Sequence, residues 1–261
     1  MNNVNQTLYI PLYGKAYVSR RGLILEDKKA EEIWQKESFP LHGKSASKWL
    51  AFYMGMRSAV MDEWLRQQIA VSDNTAVLHI GCGMDARIHR IGDGNHYWYD
   101  VDFPAVICER KRYFTETDRY RMISGDVRNN AWLDEIPGCT AAIVVMEGVS
   151  MYMTPDELRN LCANLCTRFE KVSLLMDCYT VMAAKLSRYR NPINDVGVTE
   201  VYGMDSPMLP DACGLAFVRE HDMPPRRLID ELPGMEKRIF RRLYAGSLSR
   251  KLYRMYEYGK V

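Results

Sequence analysis

The sequence predicts an α/β fold: a Rossmann-like, doubly wound, mostly parallel sheet with helices on both faces and a helical addition at the N-terminus. Three observations carry that prediction. Short apolar runs recur between residues 76 and 177, with helical segments between several of them; strands that read as continuous apolar runs are covered on both faces, as in a sheet with helical crossovers. The first run leaves through Gly81-Cys82-Gly83, a turn placed where such a sheet presents its carboxyl ends. No comparable run precedes it, and residues 1–75 carry helical periodicity instead.

In chain order, LEDKKAEEIWQ (25–35) reads as a helix, and a long amphipathic run from Ser45 to about Ala70 as another. AVLHI (76–80), HYWYDV (96–101), YRMIS (120–124), AAIVVM (141–146) and VSLLMD (172–177) read as strands. FPAVICERKRYF (103–114) and TPDELRNLCANLCTRF (154–169) read as helices between them. The C-terminal RRLYAGSLSRKLYRMYEYGK (241–260) mixes aromatic and basic residues at helical spacing, which predicts a basic amphipathic helix docked on the sheet. One domain spanning 1–261 is expected, with a helical cover over 1–75 and a core over 76–261.

Composition narrows the function classes. With 47% hydrophobic residues, 26% charged residues and a formal charge of +2, the chain gives no electrostatic reason to expect a nucleic acid partner. No apolar run reaches the length of a membrane span and the start lacks a signal-peptide pattern, so the expectation is a cytoplasmic protein without a membrane partner. Seven scattered cysteines suit reduced, buried thiols. Cys162 and Cys166 share a helix face but have no partners at zinc spacing, so packing is expected there and no metal.

Gly81 and Gly83 permit a tight turn and close backbone approach to a ligand. A GxG alone is weak, since glycines after strands are commonly turn formers. The last position of a GxGxxG fingerprint falls on Ala86, flanked by Asp85 and Arg87, which weakens a nicotinamide reading. Asp85 and Arg87 are expected to brace the loop and the helix after it. Asp100 and Asp102 end the second strand about 20 residues on, the spacing of a ribose-binding acid, with a helix cap before Pro104 as the competing role. Asp126 follows the third strand, where adenine binding and turn formation are equally good readings. Glu147 ends the fourth strand in apolar surroundings and needs a partner, which a cationic ligand would supply.

Among other candidates, His79 reads as a satisfied core residue, and His42, His96 and His221 as bases without an identifiable partner. Tyr9, Tyr13 and Tyr17 read as packing residues of a cover that could enclose an apolar substrate. Tyr152 has the best claim to touch an acceptor, because it follows the fourth strand at the ligand edge.

In this order and spacing, IGCGMDAR, YDVDFPAVICERK, SGDVRN and MEGVSMYMTPDEL resemble the leucine carboxyl methyltransferase superfamily, in particular its bacterial branch of tetracenomycin-type polyketide O-methyltransferases. The resemblance extends to TLYIPLYGKAYVSRRGLILEDKKAEEIW and FYMGMRSAVMDEW, and so covers nearly the whole chain. It implies a class I O-methyltransferase that uses S-adenosylmethionine. It also implies Gly81 and Gly83 at the methionine part of the cofactor, Asp102 at the ribose, Asp126 and Val127 at the adenine, and Glu147 at the ribose or amino acid part. Arg57 matches an arginine at the cofactor carboxylate or the methyl-accepting carboxylate. Met84 and Ala86 depart from the usual Leu or Phe and Thr, a change of packing. The expected acceptor is a small molecule with a carboxylate or phenolic oxygen, which Arg57 and Tyr152 would serve. A nicotinamide oxidoreductase and a non-catalytic S-adenosylmethionine-binding relative are the alternatives.

Overall fold

A computed structural model describes residues 8–37, 41, 43–190, 200–207, 214–246 and 251–260. His42 lies outside the described residues. Helix α1 (Tyr9–Arg20) is the first element of the described residues. Helix α2 (Lys28–Lys36) starts where the Asp27 carboxylate accepts a hydrogen bond from the Ala30 N–H at 2.8 Å. The long helix α3 (Lys48–Ala70) is capped by Ser47, whose hydroxyl accepts from the Trp49 N–H; such caps satisfy donors that the first turn leaves free.

The core then alternates strand and helix: β1 (Ala76–Ile80), α4 (Arg87–Ile91), β2 (Tyr97–Asp102), α5 (Pro104–Arg110), β3 (Tyr120–Ser124), β4 (Ala141–Met146), α6 (Pro155–Arg168), β5 (Lys171–Tyr179) and α7 (Val181–Arg190). Strand β6 (Ala216–Glu220), helices α8 (Arg226–Asp230) and α9 (Gly234–Tyr244), and strand β7 (Tyr253–Lys260) complete it. The sheet runs β3-β2-β1-β4-β5-β7-β6, with β1 to β5 parallel and β7 antiparallel to both neighbours. Strand order therefore reverses between β1 and β4, where ligands of such sheets sit.

Side chains alternate across the sheet, as the strand period requires. Leu78 and Ile80 face one apolar layer together with Val144 and Leu161. Val77 faces the other, with Phe52, Trp64 and Trp98 under the N-terminal helices. Those helices pack closely: a Cβ added at Gly55 of α3 would lie 2.8 Å from a methyl of Val18 on α1. No helix among the described residues is long and apolar enough to cross a membrane.

The C-terminal expectation needs correction. The helix ends at Tyr244 near Gly246, and Tyr253–Lys260 is a strand inserted between β5 and β6. Tyr253 and Met255 join one core, Tyr256 and Tyr258 the other. A strand buried on both faces shows no clean alternation, and its tyrosines fit a pleated surface as well as they fit a helix.

Candidate active site

A cavity of about 190 Å³ opens at the reversal point. Register brings its floor together: Ile80 pairs with Met146, so the glycine loop after β1 and Glu147-Gly148 after β4 leave the sheet side by side. Gly81 has φ +65°, and a Cβ there would lie 2.2 Å from the Val149 side chain, so the turn requires glycine. Leu8, Pro11 and Lys15 of the N-terminal segment roof the cavity, Met54 and Arg57 of α3 wall it, and Tyr152 and Tyr179 close the far side.

Part of the lining belongs to a buried ionic cluster. The two carboxylate oxygens of Glu147 accept from the Ser58 hydroxyl at 3.0 and 2.9 Å. Oε1 also accepts from Arg57 Nε at 3.0 Å and lies 3.5 Å from Lys15 Nζ, while Arg87 pairs with Oε2. Burial opposes the charge of Glu147, yet Lys15, Arg57 and Arg87 together hold its carboxyl far below the usual range. Asp85 is held low in the same way, against burial, by Arg90 at 2.7 Å, Lys15 at 2.9 Å and Arg87 at 3.2 Å. Asp85 and Arg87 thus brace the loop and helix α4. Arg87 reaches on to Asp62 of α3 at 2.7 Å. Within the connected cluster, Lys15, Arg57, Arg87 and Arg90 stand against Asp27, Asp62, Asp85, Glu147 and Asp177.

Glu147 therefore finds its partners within the chain, where the sequence suggested a cationic ligand. Those partners come from α1, α3 and the loop after β1, segments remote in sequence.

His79 also lines the cavity. Arg87 Nη1 sits 3.0 Å from its Nε2; a guanidinium can only donate, so Nε2 accepts and the proton resides on Nδ1, facing Asp100 at 3.1 Å. Burial, with the nearby Arg87, lowers its pKa. Asp100 is itself held by Arg110, Trp98 and Tyr120, which marks it as a structural acid.

Of the residues singled out in the sequence, Arg57, Gly81, Gly83, Glu147 and Tyr152 meet at the cavity. Asp102 stands behind the glycine loop, where it accepts from the Gly83 N–H and its neighbour Phe103 N–H, both at 2.8 Å. Burial raises its pKa, and those two N–H groups limit the rise. Asp126 and Val127 lie off the cavity, in the loop after β3; Asp126 accepts from Arg128, which lowers its pKa. His96 and His221 do not line the cavity, and His221 pairs with Glu257 at 2.7 Å. Tyr13 and Tyr17 pack within the cover, Tyr13 against Trp34 and Tyr17 against Phe52.

Three residues escaped sequence reasoning. Lys15 is only 2% exposed and reaches two site acids from α1; a lysine within the apolar run LYGKAYV was the available signal. Asp177 near the end of β5 accepts from the Gly148 N–H at 2.7 Å and from the Tyr253 hydroxyl, and lies 3.4 Å from Arg57 Nη1. The strand-end logic applied to Glu147 would have found it. Gly148 (φ +72°) gave no signal beyond following Glu147.

The model of the leucine carboxyl methyltransferase family matches residues 6–166. The chain is 28% identical over 210 residues to the tetracenomycin polyketide synthesis O-methyltransferase TcmP of Streptomyces glaucescens, covering 79% of this chain and 77% of that one. It is 26% identical over 180 residues to the S-adenosyl-L-methionine-dependent methyltransferase dpfgK of Gibberella zeae, covering 63% of this chain and 60% of that one. Among solved structures it is similar to the magnesium protoporphyrin IX methyltransferase ChlM from Synechocystis PCC 6803 with bound SAH, with a TM-score of 0.53 and 10% identity over 98% of this chain and 100% of that one. At that identity the likeness is one of fold.

Proposed function

The chain belongs to the leucine carboxyl methyltransferase family and is an S-adenosylmethionine-dependent O-methyltransferase, and from that premise we propose that its acceptor is a small molecule methylated on a carboxylate oxygen. When bound, S-adenosylmethionine supplies a methyl group activated by its positively charged sulfur. Two features of the chain fit that group. Gly81 and Gly83 offer backbone without Cβ to the cavity, and the buried cluster holds five carboxylates against four cations, a field complementary to a ligand of net positive charge. In this reading Gly81 and Gly83 lie along the methionine part, Asp102 takes the ribose hydroxyls, Asp126 and Val127 take the adenine, and Glu147 stabilises the amino acid part.

The observation that carries the carboxylate is the protonation inventory of the cavity. The His79 lone pair is already engaged by Arg87. Glu147 and Asp85 are locked in ion pairs at pKa values far too low to take a proton from a phenol. Tyr152, whose pKa burial raises, stays protonated. A phenol, with a pKa of about 10, would need a base, a part that none of these four groups can take, whereas a carboxylate is already ionised above about pH 4. The tasks left to the chain are placement and removal of water. Arg57 supplies the charge that attracts a carboxylate, Tyr152 a hydroxyl that can donate to it, and Leu8, Pro11 and Met54 an apolar enclosure.

Methyl-labelled S-adenosylmethionine and matched panels of small carboxylic acids and phenols test this reading. The expected product is an alkali-labile ester of an acid, with kcat/KM flat between about pH 6 and 9. Alkali-stable label on phenols, at a rate that climbs with pH, would overturn it.

A further inference from the structure

Arg57 meets its protein partners along two sides of its planar fork. Nε and Nη2 both lie 3.0 Å from Glu147 Oε1, and Nη1 faces Asp177 Oδ2 at 3.4 Å with the Tyr253 hydroxyl beside it. In a guanidinium each terminal nitrogen also directs an N–H into the mouth between the two, the side that grips a carboxylate in the end-on arrangement. Opposite that mouth stands Gly148. A Cβ built there would lie 3.2 Å from Nη1, 3.4 Å from Nη2 and 3.6 Å from Cζ. It is nearly equidistant from the two nitrogens and farther from the carbon, so it falls across the mouth. A carboxylate oxygen bound to such a fork sits about 2.7 to 2.9 Å from each nitrogen, in the space that side chain would fill. Arg57 and Gly148 both line the cavity, so the opening faces the ligand space.

We infer that Gly148 is a specificity determinant: by lacking a side chain it keeps the mouth of the Arg57 fork open to a carboxylate carried by a bound small molecule. The inference rests on the proposed function and narrows it to one contact. The carboxylate belongs either to the amino acid part of the cofactor or to the acceptor, and the chemistry at the fork is the same for both. A side chain at this position crowds the fork, at 3.2 Å from Nη1 and 3.4 Å from Nη2 for its first carbon alone.

The test is titration of the full chain with two ligand pairs: S-adenosylhomocysteine against its carboxamide, and, on the protein saturated with S-adenosylhomocysteine, benzoate against benzamide. The wild type is expected to prefer the carboxylate in at least one pair, and that pair identifies the source. Gly148→Ala is expected to reduce carboxylate binding about tenfold or more, the scale of a charged hydrogen bond, and to leave the amide unchanged. Gly148→Asn repeats the blockage with a residue that tolerates left-handed backbone, in case alanine at φ +72° compromises folding. Arg57→Gln is expected to abolish the same preference. Equal losses on acid and amide, no loss in a folded Gly148 variant, a preference that survives Arg57→Gln, or a wild type without preference in either pair overturns the inference. A wild type that binds neither adenosyl ligand overturns the proposed function itself, and this inference with it.

Discussion

Glu147 keeps its charge in a place from which water is nearly excluded, 8% exposed. Three cations and a hydroxyl replace the solvent there. Removal of the charge would take one partner from each of those cations, which keep Asp85, Asp177 and Asp62, and a buried charged hydrogen bond lost in this way costs about 1.5 to 3 kcal/mol. Glu147→Gln is therefore expected to lower the stability to denaturant by that order, measured as a shift of the urea midpoint. The pH dependence follows from the same pairing. The folded pKa lies far below the ordinary 4.5, so the unfolded chain takes up this proton first as pH falls. The contribution of Glu147 is complete above about pH 5 and is lost progressively below it; Asp85 acts in the same direction. Thermal melts across that range check the sign, and a melting temperature that rises on acidification would contradict the assignment. At this scale the sequence was informative where an acid ends an apolar strand, because the cost of an unpaired charge is local knowledge. It was silent on which residues answer the charge, since Lys15 and Arg57 reach Glu147 only after α1 and α3 have packed.

Helix α3 carries Arg57, Ser58 and Asp62 into the cluster, and its distance from α1 decides where Lys15 can reach. Gly55 sets that distance, because a Cβ there would strike Val18 at 2.8 Å. Gly55→Ala is expected to push the helices apart at a cost of about 1 to 3 kcal/mol, and to weaken S-adenosylhomocysteine binding as Lys15 withdraws from Asp85 and Glu147. A melt and a titration on the same sample check both effects; full affinity in a destabilised variant would show that α1 plays no part in the site. The strands β1, β3 and β4 were legible to the residue, since each is a short apolar run bounded by turn residues. The edge strand β6 was not, because its residues are solvent-exposed and its short apolar run, Ala216 to Val218, gives way at once to Arg219 and Glu220. The final strand was misread as helix because Tyr and Arg suit either element when both faces are covered.

At the scale of the molecule, the parallel order of β1 to β5 gathers the charged side chains at one end of the sheet. The reversal between β1 and β4 leaves room there for a ligand. That much followed from alternation and a glycine turn, so the location of the site was legible even though its composition was not. The antiparallel insertion of β7 could not be read from local pattern: it pairs Tyr253 with Tyr179 across about 70 residues. Through that insertion the Tyr253 hydroxyl reaches Asp177, which in turn faces Arg57. Tyr253→Phe is expected to raise KM or weaken ligand binding more than it lowers the melting temperature, since it frees Asp177 without emptying the core. A change confined to stability would count against that coupling.

The placement of β7 also sets an order of events at the ribosome. Until residues 253–260 emerge, β5 has no partner on its outer side, Asp177 lacks its hydroxyl donor, and Arg57 has one fewer group to hold it. A chain halted at residue 250 would hold the glycine loop, Asp102 and Glu147 and still be unable to finish the wall around Arg57. The site is closed by a segment made after the other elements that build it, so synthesis that stops short of that segment yields a protein with an unfinished binding site.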